Sequence, residues 1–292
     1  MGLKVLDWLT GIIAGLLVLG AVLIFARVFV LRSFRIASDS MMPTLMAGDR
    51  VWVDQLATGT RLYNPRTVVA DRRFPVSRLP AWRSFQRGDV LVFNRPNSSR
   101  NRAISFAPRT YYVKRCIGLP GDTVQIRQGC CTVLGQNIIL GCREEQRLLH
   151  RLIASGQAEE LEMSVRAFPK HEPFHWTIDS LGPIVVPARG NVARLDSATA
   201  LIYRRVIQWE QGLPLELGDG GRVMLGDSLV DSYRFLDNYY YVCGDRATNS
   251  NDSRYWGFLP ESFIVGRAWR IAPSIEPSTQ HIRWERLWKK VE

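Results

Sequence analysis

Residues 38–45 read Ser38-Asp39-Ser40-Met41-Met42-Pro43-Thr44-Leu45. Ser-Asp-Ser alone reads as a turn or a helix cap, because short polar side chains bond to nearby backbone. The Met-Met-Pro-Thr-Leu that follows is more particular than a turn requires. About a dozen residues upstream an uncharged apolar stretch ends, and downstream Gly-Asp pairs recur. These surroundings decide how the serines are presented.

The upstream stretch, Trp8 to Ala26, carries no charge over 19 residues. A helix of that length rises roughly 28 Å, close to the hydrocarbon thickness of a bilayer. A cleaved leader would have a shorter apolar region followed by small residues. Here Arg27, Arg32 and Arg35 follow instead. The segment is therefore predicted as a retained transmembrane helix over 8–26, after a short flank at 1–7. Lys4 and Asp7 flank one end and three arginines the other. That bias favours a cytoplasmic C-terminal side, although such counts weaken when a long domain follows.

The chain has 292 residues, 46% hydrophobic and 22% charged, which excludes disorder over most of its length. A net charge of +11 suits nucleic acid or an anionic membrane surface. No nucleic-acid recognition motif accompanies it, and the apolar segment favours the membrane. The five cysteines are Cys116, Cys130, Cys131, Cys142 and Cys243, an odd number with no Cys-x-x-Cys zinc pair. A bridge from Cys142 to Cys130 or Cys131 and a set of buried thiols both remain open.

Gly48-Asp49 leads into Val51-Trp52-Val53, Gly88-Asp89 into Val90-Leu91-Val92-Phe93, and Gly121-Asp122 into Val124 and Ile126. Each pair is a turn signal feeding a strand. The fold is predicted to be mainly β, with hairpins and no βαβ rhythm. Core segments at 34–129 and 231–272 flank an inserted β-rich or mixed unit at 130–230. Residues 56–87 read as loop-rich, and 95–110 as polar and exposed. Leu148, Leu149, Leu152 and Ile153 share one helical face within 144–166, with Gly156 as its break. Residues 168–190 read as loops around a short strand at 184–186. The tail, 273–292, is basic and aromatic. Within it Trp284, Leu287, Trp288 and Val291 follow helical spacing, suiting a membrane interface or packing on the core.

Two further runs complete the pattern: Tyr111-Tyr112-Val113-Lys114-Arg115 and Asn249-Ser250-Asn251-Asp252-Ser253-Arg254. With residues 38–45 they resemble, in order and over nearly the whole chain, the bacterial type I signal peptidases, a Ser/Lys dyad family. The resemblance implies a β-rich catalytic core with an insert, preceded by one transmembrane helix. It implies Ser40 as nucleophile and Lys114 as its base. A lysine can serve only when neutral, and burial beside Tyr112 and Val113 would lower its pKa. None of the four histidines lies beside a motif. By resemblance, Ser38 and the Ser40 N–H form an oxyanion hole, Ser250 orients the lysine, and Asp252 and Arg254 make a supporting ion pair. Ile36, Met41, Leu45, Tyr112 and Val113 occupy positions like the family's pocket lining for small side chains. The family's usual Asn-Arg-Asp is here Arg246-Ala247-Thr248, a departure expected to remove a charge pair and weaken the local structure.

The implied partners are signal peptides of secretory preproteins, the lipid bilayer and the secretion translocon, with no nucleic acid. The catalytic domain would lie on the extracytoplasmic side of the bacterial inner membrane, opposite to the charge bias. No metal or organic cofactor is implied. His171-Glu172-Pro173-Phe174-His175 matches the His-Glu-x-x-His zinc signature, but Pro173 inside it and Pro169 before it oppose the helix that chemistry needs. Two rival readings are a Ser-Lys self-cleaving protease and a non-catalytic membrane scaffold derived from a peptidase. Residues 246–248 suggest the scaffold, and the intact Ser40, Lys114 and Ser250 argue against it.

Overall fold

The computed structural model describes residues 2–25, 31–68, 73–98, 104–136 and 138–292. Helix α1 spans Gly2–Phe25. Its side chains are described from Trp8 to Val22, and nearly all of these are exposed. Among the described residues, no helix is long and apolar enough to cross a membrane. The span expected over 8–26 runs past them, with Ala26 and Arg27 lying outside the description.

The strands that position the site are β1 (Leu31–Arg35), β2 (Arg50–Asp54), β3 (Val90–Ser98) and β4 (Ile104–Gly118). Next come β5 (Thr123–Arg127), β6 (Cys130–Val133), α2 (Arg143–Ala154), β7 (Leu181–Val185) and α3 (Ser197–Gln211). The last are β8 (Tyr239–Cys243), α4 (Ser253–Trp256), β9 (Leu259–Pro260) and β10 (Ile264–Ile271). Seven of the strands form one antiparallel sheet in the order β1-β2-β10-β3-β4-β8-β9. β5 joins a smaller sheet, β6-β5-β7. Cys130, where a boundary was expected, is the first residue of β6 in this smaller sheet.

The Gly-Asp pairs do feed strands, through one repeated device. Gly48, Gly88 and Gly121 have φ of 94°, 87° and 88°, which only glycine adopts easily. Each following aspartate closes a four-residue turn from its own N–H, to the carbonyls of Met46, Gln86 and Leu119 at 3.0–3.1 Å. Its carboxylate then accepts the N–H of that same residue at 2.8–2.9 Å. Each carboxylate also pairs with arginine: Asp49 with Arg286, Asp89 with Arg83 and, at 3.6 Å, with Arg267, and Asp122 with Arg87.

Strand alternation divides the core between the two sheet faces. Leu91 and Phe93 join a large cluster, whereas Val90 and Val92 join a smaller one with Ile36, Met41, Leu45, Val51, Val53 and Val291. Both faces are covered, so the strands read as continuous apolar runs.

Two expectations need correction, for residues 95–110 and for the tail. Residues 95–110 are mostly an extension of the β3–β4 ribbon, in which Ile104 and Phe106 are buried. Phe106 packs against Phe74 and Phe263 at 4.7 and 4.9 Å, which keeps that part of the ribbon on the core. Residues 130–230, read as β-rich or mixed, hold both strands and helices. α3 is a 15-residue helix with a capping box between Asp196 and Thr199 and a left-handed Gly212 at its end. The tail is not a helix. Its backbone pairs with β10 through Val291 N–H to Trp269 O and Ile271 N–H to Lys289 O, leaving a single 3-10 turn at Trp284–Arg286. A segment this short has too little intrinsic helicity to resist such pairing. All five cysteines are free thiols, which decides between the two alternatives that the sequence left open.

Candidate active site

Three chain segments that are far apart in sequence meet at one end of the main sheet. Residues 38–47 form an irregular loop between β1 and β2. Met41 and Leu45 anchor it, at 1% and 0% exposure in the smaller cluster. That anchoring leaves Ser40 half-buried and Ser38 exposed at the rim.

β4 brings the lysine. Lys114 pairs in register with Leu91, and Tyr112 and Lys114 therefore share a face. The Lys114 side chain is buried at 4% exposure, and its Nζ donates to Ser40 Oγ at 2.5 Å. The same Nζ stands 5.5 Å from the centre of the Tyr112 ring. Burial is the main influence on this amine and lowers its pKa from 10.5 to about 8; Asp252 opposes the fall and Arg254 adds to it.

The third segment follows β8. Asp252 is fully buried and caps α4. Arg254 grips it bidentately, Nε to Oδ1 at 2.9 Å and Nη2 to Oδ2 at 2.7 Å, and Gly244 N–H donates to Oδ2 at 2.9 Å. Burial pushes the Asp252 carboxyl up, but Arg254 and these donors prevail and hold it below the ordinary range. The expected ion pair is thus formed. Ser250 is buried close by, but its Oγ makes no hydrogen bond to Lys114. It lies near Asp252, where its hydroxyl favours the ionised carboxylate.

Ser38 Oγ stands 3.4 Å from Ser40 Oγ. A cleft of about 360 Å³ opens over the serines, lined by residues 35–41 on one side, by 111–114 on the other, and by Asn249 and Asn251. Ile36, Met41, Tyr112 and Val113 all contribute to it, whereas Leu45 is wholly buried and does not. No histidine lines the cleft. His171–His175 is a turn-containing loop, in which His175 contacts Glu172 at 3.4 Å in solvent. Among the described residues, no group of His, Cys, Asp and Glu is placed to hold a metal ion.

Sequence reasoning passed over several supports. Arg115, on the opposite face from Lys114, grips Asp245 with two bonds of 2.6 Å and also donates to Gly88 O, Thr44 Oγ1 and Glu292 O. Its adjacency to Lys114 and the Gly-Asp form of residues 244–245 were the available signals. Gly244 has no room for a side chain: a Cβ would lie 2.2 Å from Ser250 Oγ and 2.6 Å from Ser40 O. Residues 246–248 do not leave a charge missing. Arg246 forms an ion pair with Asp39, Ala247 O accepts from Arg254 Nη1 at 3.1 Å, and Thr248 Oγ1 contacts Glu145 at 3.3 Å.

Comparisons with known proteins identify the family. The family model described as "Signal peptidase, peptidase S26" matches residues 7–172 and 227–272. Signal peptidase I of Buchnera aphidicola subsp. Baizongia pistaciae is 27% identical over 251 residues, covering 82% of this chain and 69% of its own length. Signal peptidase I of Pseudomonas aeruginosa is 26% identical over 260 residues, covering 86% of this chain and 67% of its own. A solved signal peptidase I from Enterococcus faecalis aligns over 63% of this chain and 97% of its own at 19% identity, with a TM-score of 0.27, too loose a match to bear on the fold. With the family match spanning most of the chain, the protein belongs to the signal peptidase family, peptidase S26, and is a serine hydrolase of the type I signal peptidase kind.

Proposed function

We propose that this protein is a membrane-bound endopeptidase that removes N-terminal signal peptides from secreted preproteins by a Ser40–Lys114 dyad. The observation that carries this reading is the 2.5 Å contact between Lys114 Nζ and Ser40 Oγ in a site that lowers the lysine pKa. With the amine neutral, the Ser40 hydroxyl donates along that line. Ser40 Oγ attacks the scissile carbonyl carbon as its proton passes to Lys114. The carbonyl oxygen becomes an oxyanion, met by Ser40 N–H and Ser38 Oγ. Collapse breaks the C–N bond, and Lys114 returns the proton to the leaving amine. The mature protein departs, with the signal peptide held as an ester on Ser40. Water, deprotonated by Lys114, then cleaves that ester.

Substrate would enter as an extended strand. Supporting this, residues 111–114 pair with β3 along one edge, while on the other edge β8 engages only Arg115, Cys116 and Gly118. Ile36, Met41 and Val113 leave the cleft room for small side chains. Membrane attachment through the 8–26 segment is supported by the exposure of α1, where Leu16 and Leu17 are 62% and 69% exposed. The exposed Trp284, Leu287 and Trp288 suit the same surface, with the catalytic domain on the extracytoplasmic side. The translocon is the source from which preproteins would arrive.

The test is incubation of the purified full chain, in detergent, with a secretory preprotein. Mass spectrometry should find one cut after a small-x-small motif. Failure to cut, by a folded preparation, would favour a non-catalytic scaffold.

A further inference from the structure

This chain places an acidic residue where a serine hydrolase can least tolerate one. Asp39 lies between Ser38 and Ser40, whose hydroxyls flank the place where negative charge must build. Its carboxylate lines the cleft. It is about one-third exposed and accepts a hydrogen bond from Asn249 Nδ2 at 3.1 Å and an ion pair from Arg246. Arg246 lies 207 residues away in sequence, at the first of the three positions where the chain departs from Asn-Arg-Asp. Its backbone N–H separately donates to Ser40 O at 3.1 Å. The main chain of residue 246 therefore tethers the serine loop, and its side chain answers the Asp39 charge.

We propose that the Arg246 guanidinium is an electrostatic positioning residue. It cancels the Asp39 carboxylate, so that an oxyanion can form between Ser38 and Ser40. This rests on the dyad reading above. At an effective dielectric of about 20 to 40, an unpaired carboxylate on the residue beside Ser40 slows formation of an oxyanion between about seven- and fifty-fold. Solvent reaches both partners, which places the effect near the lower end, about tenfold. The charge acts on the transition state and not on the neutral ground-state carbonyl, so it changes kcat and leaves KM alone.

The experiment measures preprotein cleavage by full-length solubilised protein, with thermal melting of each variant. Arg246→Gln should lower kcat about tenfold with KM within about twofold, while Arg246→Lys should retain most of kcat. Adding Asp39→Asn to Arg246→Gln should restore kcat to within about threefold of the parent. A double variant as slow as Arg246→Gln would overturn the proposal and make the pair a mechanical tether. An unimpaired Arg246→Gln would overturn it as well. If Arg246→Gln does not fold, the double variant decides alone: near-parent kcat is required, and a tenfold loss refutes. Ser40→Ala is run in parallel. Cleavage by that variant would indict the dyad reading, separately from the role of Arg246.

Discussion

Lys114→Met replaces a buried amine with a thioether of similar length, and its effect can be worked out from the site. Burial lowers the Lys114 pKa from 10.5 to about 8, and no exposed surface screens the group at 4% exposure. In the unfolded chain the amine keeps its ordinary affinity for a proton. The fall from 10.5 to about 8, at about 1.36 kcal/mol per pH unit, makes the folded state about 3 kcal/mol less stable wherever the amine is protonated in both states. That penalty is absent above about pH 10.5, grows as pH falls from there to about 8, and is constant below. Methionine does not titrate and escapes it. It gives up the bond to Ser40, worth about 1 kcal/mol, but Ser40 is half-buried and its hydroxyl can turn to water. The variant should therefore be inactive and about 2–3 kcal/mol more stable than the parent at pH 7. The gap should close by about pH 10. Denaturant unfolding of both proteins at pH 7, 8, 9 and 10 measures it. A gap that does not change with pH, or a less stable variant at pH 7, would refute the reasoning. The same ionisation governs rate: kcat/KM should fall about tenfold per pH unit below about 8 and level off above about 9.

Ser40→Ala should abolish cleavage and cost about 1–3 kcal/mol, since it removes the partner of the buried Lys114 amine while touching no core packing; melting and cleavage assays check both. Ser250→Ala should leave measurable turnover, because Ser250 Oγ makes no bond to Lys114; loss as complete as that of Ser40→Ala would contradict this. Gly244→Ala should cost about 1–3 kcal/mol and most of the activity, because the added methyl must displace Ser250 or the Ser40 carbonyl; melting and cleavage assays check it together. Arg286→Ala should destabilise by about 3–5 kcal/mol, because it leaves the fully buried Asp49 carboxylate without its guanidinium. A change of under about 1 kcal/mol in denaturant unfolding would show that the tail does not brace the serine loop.

What could be read from the sequence was whatever is local. Glycine before aspartate forces a turn, apolar alternation makes strands, and both appear in the structure where residues 48–53, 88–93 and 121–126 placed them. Ser40 and Lys114 stood out because their flanking residues form long, specific runs. What escaped depends on partners distant in the chain. The tail's helical spacing was real, but Arg283 turns inward to Ala47 O, Arg286 to Asp49 and Val291 to the core, and no local pattern announces those partners. Leu45 was given a pocket position by the family resemblance; the turn of the loop buries it instead. Residues 246–248 read as the loss of a charge pair because the partner of Arg246, Asp39, lay in another motif. α3 did carry local signals, Asp196 and Thr199 at its start and Gly212 at its end, and these went unread among the prolines before them.

Gly118 and Tyr241 face each other across the β4–β8 pairing, so the chain leaves the main sheet beside the place where it returns. To that sheet, everything from 119 to 238 is one connection between neighbouring strands. Closing a longer loop adds only about 0.6 kcal/mol per doubling of length, so the dyad is nearly indifferent to how long the connection is. The internal stretch that the family model leaves unmatched, 173–226, lies wholly within it. Length is free here, but surface is not. Trp209 of α3 meets Phe74 at 6.2 Å and Phe263 at 5.3 Å, and the Phe168 ring fills the space a side chain would take at Gly257. The unit behaves as a graft whose inner face is fixed and whose outer turns are open to change. The exposed glycines at 220 and 221 are accordingly the natural place to splice in a second protein without disturbing the serine.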